Sequence, residues 1–156
     1  MKEQLSNLLI TVISGVSVYV LSQWYTEFIL RPIQDYKSLK AKTAKLLVLH
    51  AQYYSNPQIY DDGGDYSAWS AASADIRELA AEVAAFVEVK PFQLFVFYAI
   101  PSKKNLLEAY HYLIGLSNSF FTTRSRENRC MDRAIEYPEI IKKYMRITHE
   151  RKNSKK

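Results

Sequence analysis

Glu108-Ala-Tyr-His111 sets a carboxylate and an imidazole three positions apart, the spacing that di-iron helical bundles use on each of two helices. Such a centre needs a second motif of this kind and two further glutamates on other helices, and the chain holds a single E-x-x-H. His50 sits in an otherwise apolar helical pattern and reads as a core histidine with its hydrogen bonds satisfied, not as a ligand. The run Asp61-Asp62-Gly63-Gly64-Asp65 lacks the alternating oxygen ligands and terminal glutamate of an EF-hand loop, so it reads as a turn. Cys130 is the single cysteine; it cannot form an internal disulfide and agrees with a reducing compartment. Arg129 beside it would favour the thiolate, but no reaction partner can be named. With no glycine-rich phosphate loop and no paired metal-ligand cysteine motif, these residues argue against an enzyme and imply no metal and no cofactor.

The remaining chemistry is that of charge. The chain of 156 residues carries a net charge of +5, unevenly spread. Residues 31–121 hold nine Lys/Arg and nine Asp/Glu, whereas residues 122–156 hold eleven against five. Arg126, Arg129 and Arg133 fall at i, i+3 and i+7, one helix face, with Arg124 on a flanking face; Lys142, Lys143 and Arg146 continue the series. Guanidinium forks at that spacing suit phosphate oxygens, of nucleic acid or a nucleotide, against the plainer reading of a solvated face with Glu127, Asp132 and Glu136 as local partners. Attraction to anionic lipid fits better the lysines 37 to 45, and the C-terminal set is expected to need a phosphate farther from the membrane.

A second pattern lies near the N-terminus. Gln4 to Thr26 are 23 consecutive uncharged residues, which at about 1.5 Å rise each would span roughly 35 Å, enough to cross a hydrocarbon core of about 30 Å. A cleaved signal would have a shorter apolar core and a small-residue cleavage site, and a buried core helix would be a shorter run. At 100° per residue Asn7, Thr11, Ser14, Gly15, Ser22 and Thr26 fall within an arc of roughly 120°, opposite Leu9, Val12, Ile13, Val16 and Val20. Small polar faces are what associating membrane helices use, although serine and threonine can also close their hydroxyls on their own backbone. Self-association would set the face against neighbouring copies or around a mildly polar pore.

The elements that carry these residues are helical. After the span, Arg31-Pro32 either starts a new helix or kinks a continuous one. Ile33, Tyr36, Leu39, Thr43, Leu46, Leu47, His50 and Tyr53/Tyr54 then form one apolar stripe. Asn56 onward reads as a loop, and a helix starting near Ser67 carries the stripe Trp69, Ala72, Ile76, Leu79, Ala80, Val83 and Phe86/Val87. Residues 92–100 have the composition of a strand but no second strand to pair with, so they read as a short buried helix. Ser102 caps a helix with the stripe Leu106, Leu107, Tyr110, Leu113, Ile114, Ser117 and Phe120/Phe121. A last helical region is interrupted at Pro138.

The fold expected is all-α: a transmembrane helix over 1–30, a cytosolic bundle of about four or five helices over 31–150 and a basic tail over 151–156. Only Lys2 precedes the span, whereas Arg31, Lys37, Lys40, Lys42 and Lys45 follow it, so the N-terminus is expected outside and the domain in the cytoplasm. With "SGVSVYVLSQWY", "RPIQDYKSLKAKTAKLL" and "YLIGLSN" in this arrangement, the chain resembles small single-pass membrane effectors of bacterial anti-phage defence, most of all the membrane effector of the Hailong system. That resemblance implies an oligomeric, channel-like protein of the bacterial inner membrane. It implies as partners further copies of the chain, membrane lipids, a single-stranded DNA oligomer or nucleotide signal, and the nucleotidyltransferase that makes it. It carries over no catalytic or ligand residue.

Overall fold

The computed structural model describes residues 2–59, 65–89, 99–122 and 127–147. Helix α1, Lys2–Tyr25, runs through a π turn, Thr26–Leu30, into α2, Arg31–Leu49. Pro32 explains the turn. It has no N–H to offer the carbonyl four residues back, and its ring would crowd that carbonyl in an α-helix. The wider turn just before it absorbs the misfit: the Arg31 N–H donates to the Thr26 carbonyl, five residues back. Of the two outcomes that Arg31-Pro32 allowed, the structure takes the continuous one, and the helix from Ser6 to Leu49 is unbroken over 44 residues.

His50 leaves helical geometry at φ −96°, ψ 10°, which separates α2 from the short α3, Ala51–Ser55. Next comes β1, Gln58–Ile59, paired in parallel with β2, Phe121–Thr122, in the register Gln58 with Phe121 and Ile59 with Thr122. This pair corrects the reading of everything after Asn56 as loop; a ladder of two residues leaves no periodicity in the sequence to find. Helix α4, Ser67–Val89, follows Asp65, whose carboxylate accepts the Ser67 N–H at 2.9 Å. Helix α5, Lys103–Asn118, is capped as expected by the Ser102 hydroxyl, which accepts the Asn105 N–H. Helix α6, Glu127–Tyr144, passes straight through Pro138, a second correction. An interior proline costs about 3 kcal/mol, but Cys130, Ala134, Ile141 and Met145 are all buried on both sides of it, so packing holds the helix together. The reading of residues 92–100 as a helix falls mostly on 90–98, outside the described residues.

The fold is all-α, a bundle of α2, α4, α5 and α6 with one long apolar helix at the N-terminus. Leu47, Ile76, Leu79, Val83, Leu106, Leu113, Leu116, Phe120, Ile141 and Met145 fill its core. Small residues set the close approaches: Ala72, Ala80 and Ala109 are buried, and the ring of Tyr137 lies where a Cβ on Gly115 would be, 2.6 Å from it. Cross-helix pairs fix the directions. Tyr36 meets Phe86, Lys42 bonds Glu82 and His50 bonds Asp75, so α2 and α4 are antiparallel. Ser73 bonds the Ser117 carbonyl while Lys103 pairs with Glu88, so α4 and α5 are antiparallel too. Tyr137 lies against Gly115, and the Tyr36 hydroxyl donates to the Met145 carbonyl, which brings the end of α6 back to the start of α2.

Candidate functional site: a polar helix face and two basic ends

The apolar helix is uncovered. Leu8, Ile10 and Val18 of α1 are 62–67% exposed, and no part of its most apolar stretch is buried against the rest of the chain. Asn7, Thr11, Ser14, Gly15, Ser22 and Thr26 are all exposed on it. Their hydroxyls are largely occupied within the helix: Thr11 donates to the Asn7 carbonyl, Ser14 to Thr11 and Thr26 to Ser22, each at 2.9 Å. Closing the donors in this way removes the cost of carrying hydroxyls into an apolar medium and leaves oxygen lone pairs facing outward. Gly15 has nothing within 4 Å of where a Cβ would sit, so its small size serves nothing inside this chain.

The basic residues do not form one surface. Arg124 and Arg126 lie outside the described residues. Arg129 and Arg133 are exposed one turn apart, with no ion-pair partner among the described residues, at the end of the bundle away from α1. Lys142, Lys143 and Arg146 are at the opposite end. Lys142 pairs with Glu139 at 2.6 Å, Lys143 is exposed, and Arg146 takes φ 49° in the turn that ends α6. There the Ile147 N–H reaches the Lys142 carbonyl at 2.8 Å and the Arg146 N–H the Lys143 carbonyl at 3.1 Å, a Schellman arrangement with arginine in the position glycine usually holds. Ten residues of helix, roughly 15 Å, separate Arg133 from Lys143. Between them Glu136 and Glu139 are exposed, and Asp132 is exposed just before Arg133. Arg129 and Arg133 therefore lie far from the first helix, whereas Lys142, Lys143 and Arg146, which the sequence grouped with them, lie near it. Helix spacing gave their angular position, but the antiparallel packing of α6 on α5 and α2 decides their height in the bundle.

One cross-helix tie of the bundle rests on Arg77, a residue that the sequence did not single out. The Arg77 guanidinium bridges the Ser117 hydroxyl at 3.3 Å and the Asn118 side-chain oxygen at 2.9 Å, tying α4 to the end of α5. Burial pushes the Tyr36 phenol up to about 12, with the Arg146 charge opposing it. Burial also raises Tyr54, with Glu139 adding to it, and the bond to Glu82 holds Lys42 above the usual lysine range. The Ser67 N–H holds Asp65 below the usual carboxylate range. His50 is buried as expected, and its Nε2 bonds Asp75 at 2.8 Å, yet its Nδ1 has no partner among the described residues, so only half of the ring is satisfied by them. Glu108 is half-buried; His111 is exposed beside Tyr110, with ring centroids 5.1 Å apart. Among the described residues no three His, Cys, Asp or Glu side chains gather where a metal ion could be held. Cys130 is buried.

The arrangement thus offers a lipid-compatible helix with one polar face, an arginine pair at the far end and a second set of cations where α1 joins the bundle. Comparison with protein-family models, with curated proteins and with solved structures finds no match to this chain.

Proposed function

We propose that the chain is a single-pass membrane effector that works as an oligomer, in the manner of the anti-phage effectors it resembles. Helix α1 crosses the bilayer with its N-terminus outside, the bundle lies in the cytoplasm, and copies associate through the face of Asn7, Thr11, Ser14, Gly15, Ser22 and Thr26. A phosphate-bearing nucleic-acid or nucleotide signal at Arg129 and Arg133 shifts the assembly between closed and conducting arrangements. The observation that carries this reading is α1 itself, an apolar helix that extends α2 without a break and is covered by none of the described residues.

The second reading is a membrane-anchored binding module in which α1 is only a tether. It is favoured by the hydroxyls of Thr11, Ser14 and Thr26, which are closed on their own helix and require no neighbour. One experiment separates the two. Thr11, Ser14 and Ser22 are replaced together by leucine, and the full chain is sized in detergent and tested for ion conductance in planar bilayers, with and without short oligonucleotides. An effector loses self-association and conductance in the variant, whereas a tether keeps its binding and was never conducting. A wild-type chain that stays monomeric and passes no current with any oligonucleotide refutes the effector reading.

A further inference from the structure

We infer that the end of the bundle next to α1 is a docking surface for anionic phospholipid headgroups, assembled from three separate helices. The inference rests on the membrane-spanning reading of α1 and goes beyond it, because most of the residues concerned belong to elements distant from the span in sequence.

The cross-helix pairs fix which residues share this end. Tyr36, early in α2, meets Phe86 late in α4 and the Met145 carbonyl at the end of α6, and Lys103 at the start of α5 pairs with Glu88 at 3.6 Å. Arg31 and Lys37 of α2, Lys103 and Lys104 of α5, and Lys143 and Arg146 at the end of α6 are therefore neighbours in height, although the sequence spreads them over more than a hundred positions. Tyr36 is six residues beyond Leu30, so this level is only about 9 Å below the end of the apolar helix. A lysine stem can extend from there to the headgroups, and the distance is comparable to a Debye length of about 8 Å at physiological salt.

The balance of charge at this end favours an anion. The facing carboxylates are Glu27, Asp35, Glu88, Glu108 and Glu139. Three of them are already engaged, Glu27 with Arg31, Glu88 with Lys103 and Glu139 with Lys142. Lys37, Lys104 and Lys143 have no ion-pair partner among the described residues. A bundle suspended from a spanning helix cannot avoid the leaflet above it, and a cationic end turns that proximity into a preference for anionic lipid.

The test uses the full chain in lipid nanodiscs of phosphatidylcholine with about a third phosphatidylglycerol, reading the ratio of the two lipids retained with the protein by native mass spectrometry. Wild type should enrich phosphatidylglycerol, and Lys104→Glu with Lys143→Glu should lower the enrichment by more than fivefold for each reversed residue, since loss of one positive charge alone is worth about fivefold. Arg129→Glu with Arg133→Glu, at the far end, should leave it unchanged. Lys104→Gln with Lys143→Gln should give a smaller loss in the same direction, which separates charge from misfolding. Equal retention of both lipids by wild type overturns the inference and leaves the spanning reading intact, as does an equal effect of the far-end reversal. Binding of a single-stranded oligonucleotide in neutral discs that is lost on reversing Lys104 and Lys143 reassigns the surface to nucleic acid. A chain that stays outside the discs overturns the spanning reading and this inference together.

Discussion

Replacing Gly115 by alanine sets two opposed effects against each other, and their sizes decide the sign. In a helix interior alanine is favoured over glycine by about 0.5–1 kcal/mol, because the unfolded glycine has more conformations to lose. Here the new Cβ would lie 2.6 Å from Cε2 and 3.2 Å from Cδ2 of Tyr137. Carbon atoms in contact prefer about 3.5–4.0 Å, so the ring would have to retreat by about 1 Å. Its retreat is hindered because it also stands edge-on to Tyr112 at 5.1 Å, and Tyr112 stacks on Tyr144 at 6.0 Å. Overpacking of this kind costs about 1–3 kcal/mol, which exceeds the propensity gain. Gly115→Ala should therefore destabilise the bundle by about 1–2 kcal/mol, a fall of roughly 3–8 °C in Tm for a domain of this size. The assay is thermal unfolding of the full chain in detergent, followed by circular dichroism. Repeating the substitution in a Tyr137→Leu background removes the ring and should turn the effect neutral or stabilising, a coupling that a double-mutant cycle isolates. If Gly115→Ala alone raised Tm, the close approach of α5 and α6 would be refuted, and with it the placement of the cations at the end of α6.

Two further outcomes follow from buried polar groups. The Tyr36 phenol titrates near 12 in the folded chain, against about 10 when unfolded, so its contribution is complete below pH 10 and is lost as pH rises toward 12, roughly 3 kcal/mol in all. Urea midpoints from pH 8 to 11.5 should show a steeper alkaline decline for wild type than for Tyr36→Phe, and the two proteins should decline in parallel if the phenol is not buried. Asp75→Ala leaves buried His50 with neither nitrogen bonded to a described residue, because Asp75 is the partner of Nε2 and Nδ1 has none among them. The cost should be about 1–3 kcal/mol, read as a lower Tm, and an unchanged Tm would show that water already satisfies the ring.

The sequence located the helical faces well because burial repeats along a helix. In α2 the stripe of Tyr36, Leu39, Thr43, Leu46 and Leu47 is the buried face, and in α4 the stripe from Ala72 to Val87 is likewise. In α5 the reading was displaced: Leu107, Tyr110 and Ile114 are only partly buried, while Ala109 and Leu116 are fully buried. Large residues drew the stripe toward themselves, whereas the true centre runs through an alanine where α4 comes close. The candidate site was less legible. Whether Arg129 and Lys143 share a surface depends on how α6 folds back, and the hydrogen bond that settles it joins Tyr36 to Met145, 109 positions apart. Periodicity on one helix is silent about such a pairing.

The π turn relates the polar face of α1 to the bundle. Counted at 100° per residue without interruption, the polar face and the buried face of α2 would lie only about 50° apart, on nearly the same side of one rod. A π turn inserts one extra residue and so retards everything after it by about 90–100°, which moves the two faces to roughly 140–150° apart. Thr26–Leu30 is such a turn, placed by Pro32 between the two. The polar face is thereby directed away from the side on which α4 and α6 pack, so several copies could bring their polar faces together at a common axis with their bundles outside. Were the helix a regular α-helix, the copies' own bundles would occupy the space that such an axis requires. The proline that looked like a boundary between anchor and domain thus sets the rotation of one against the other.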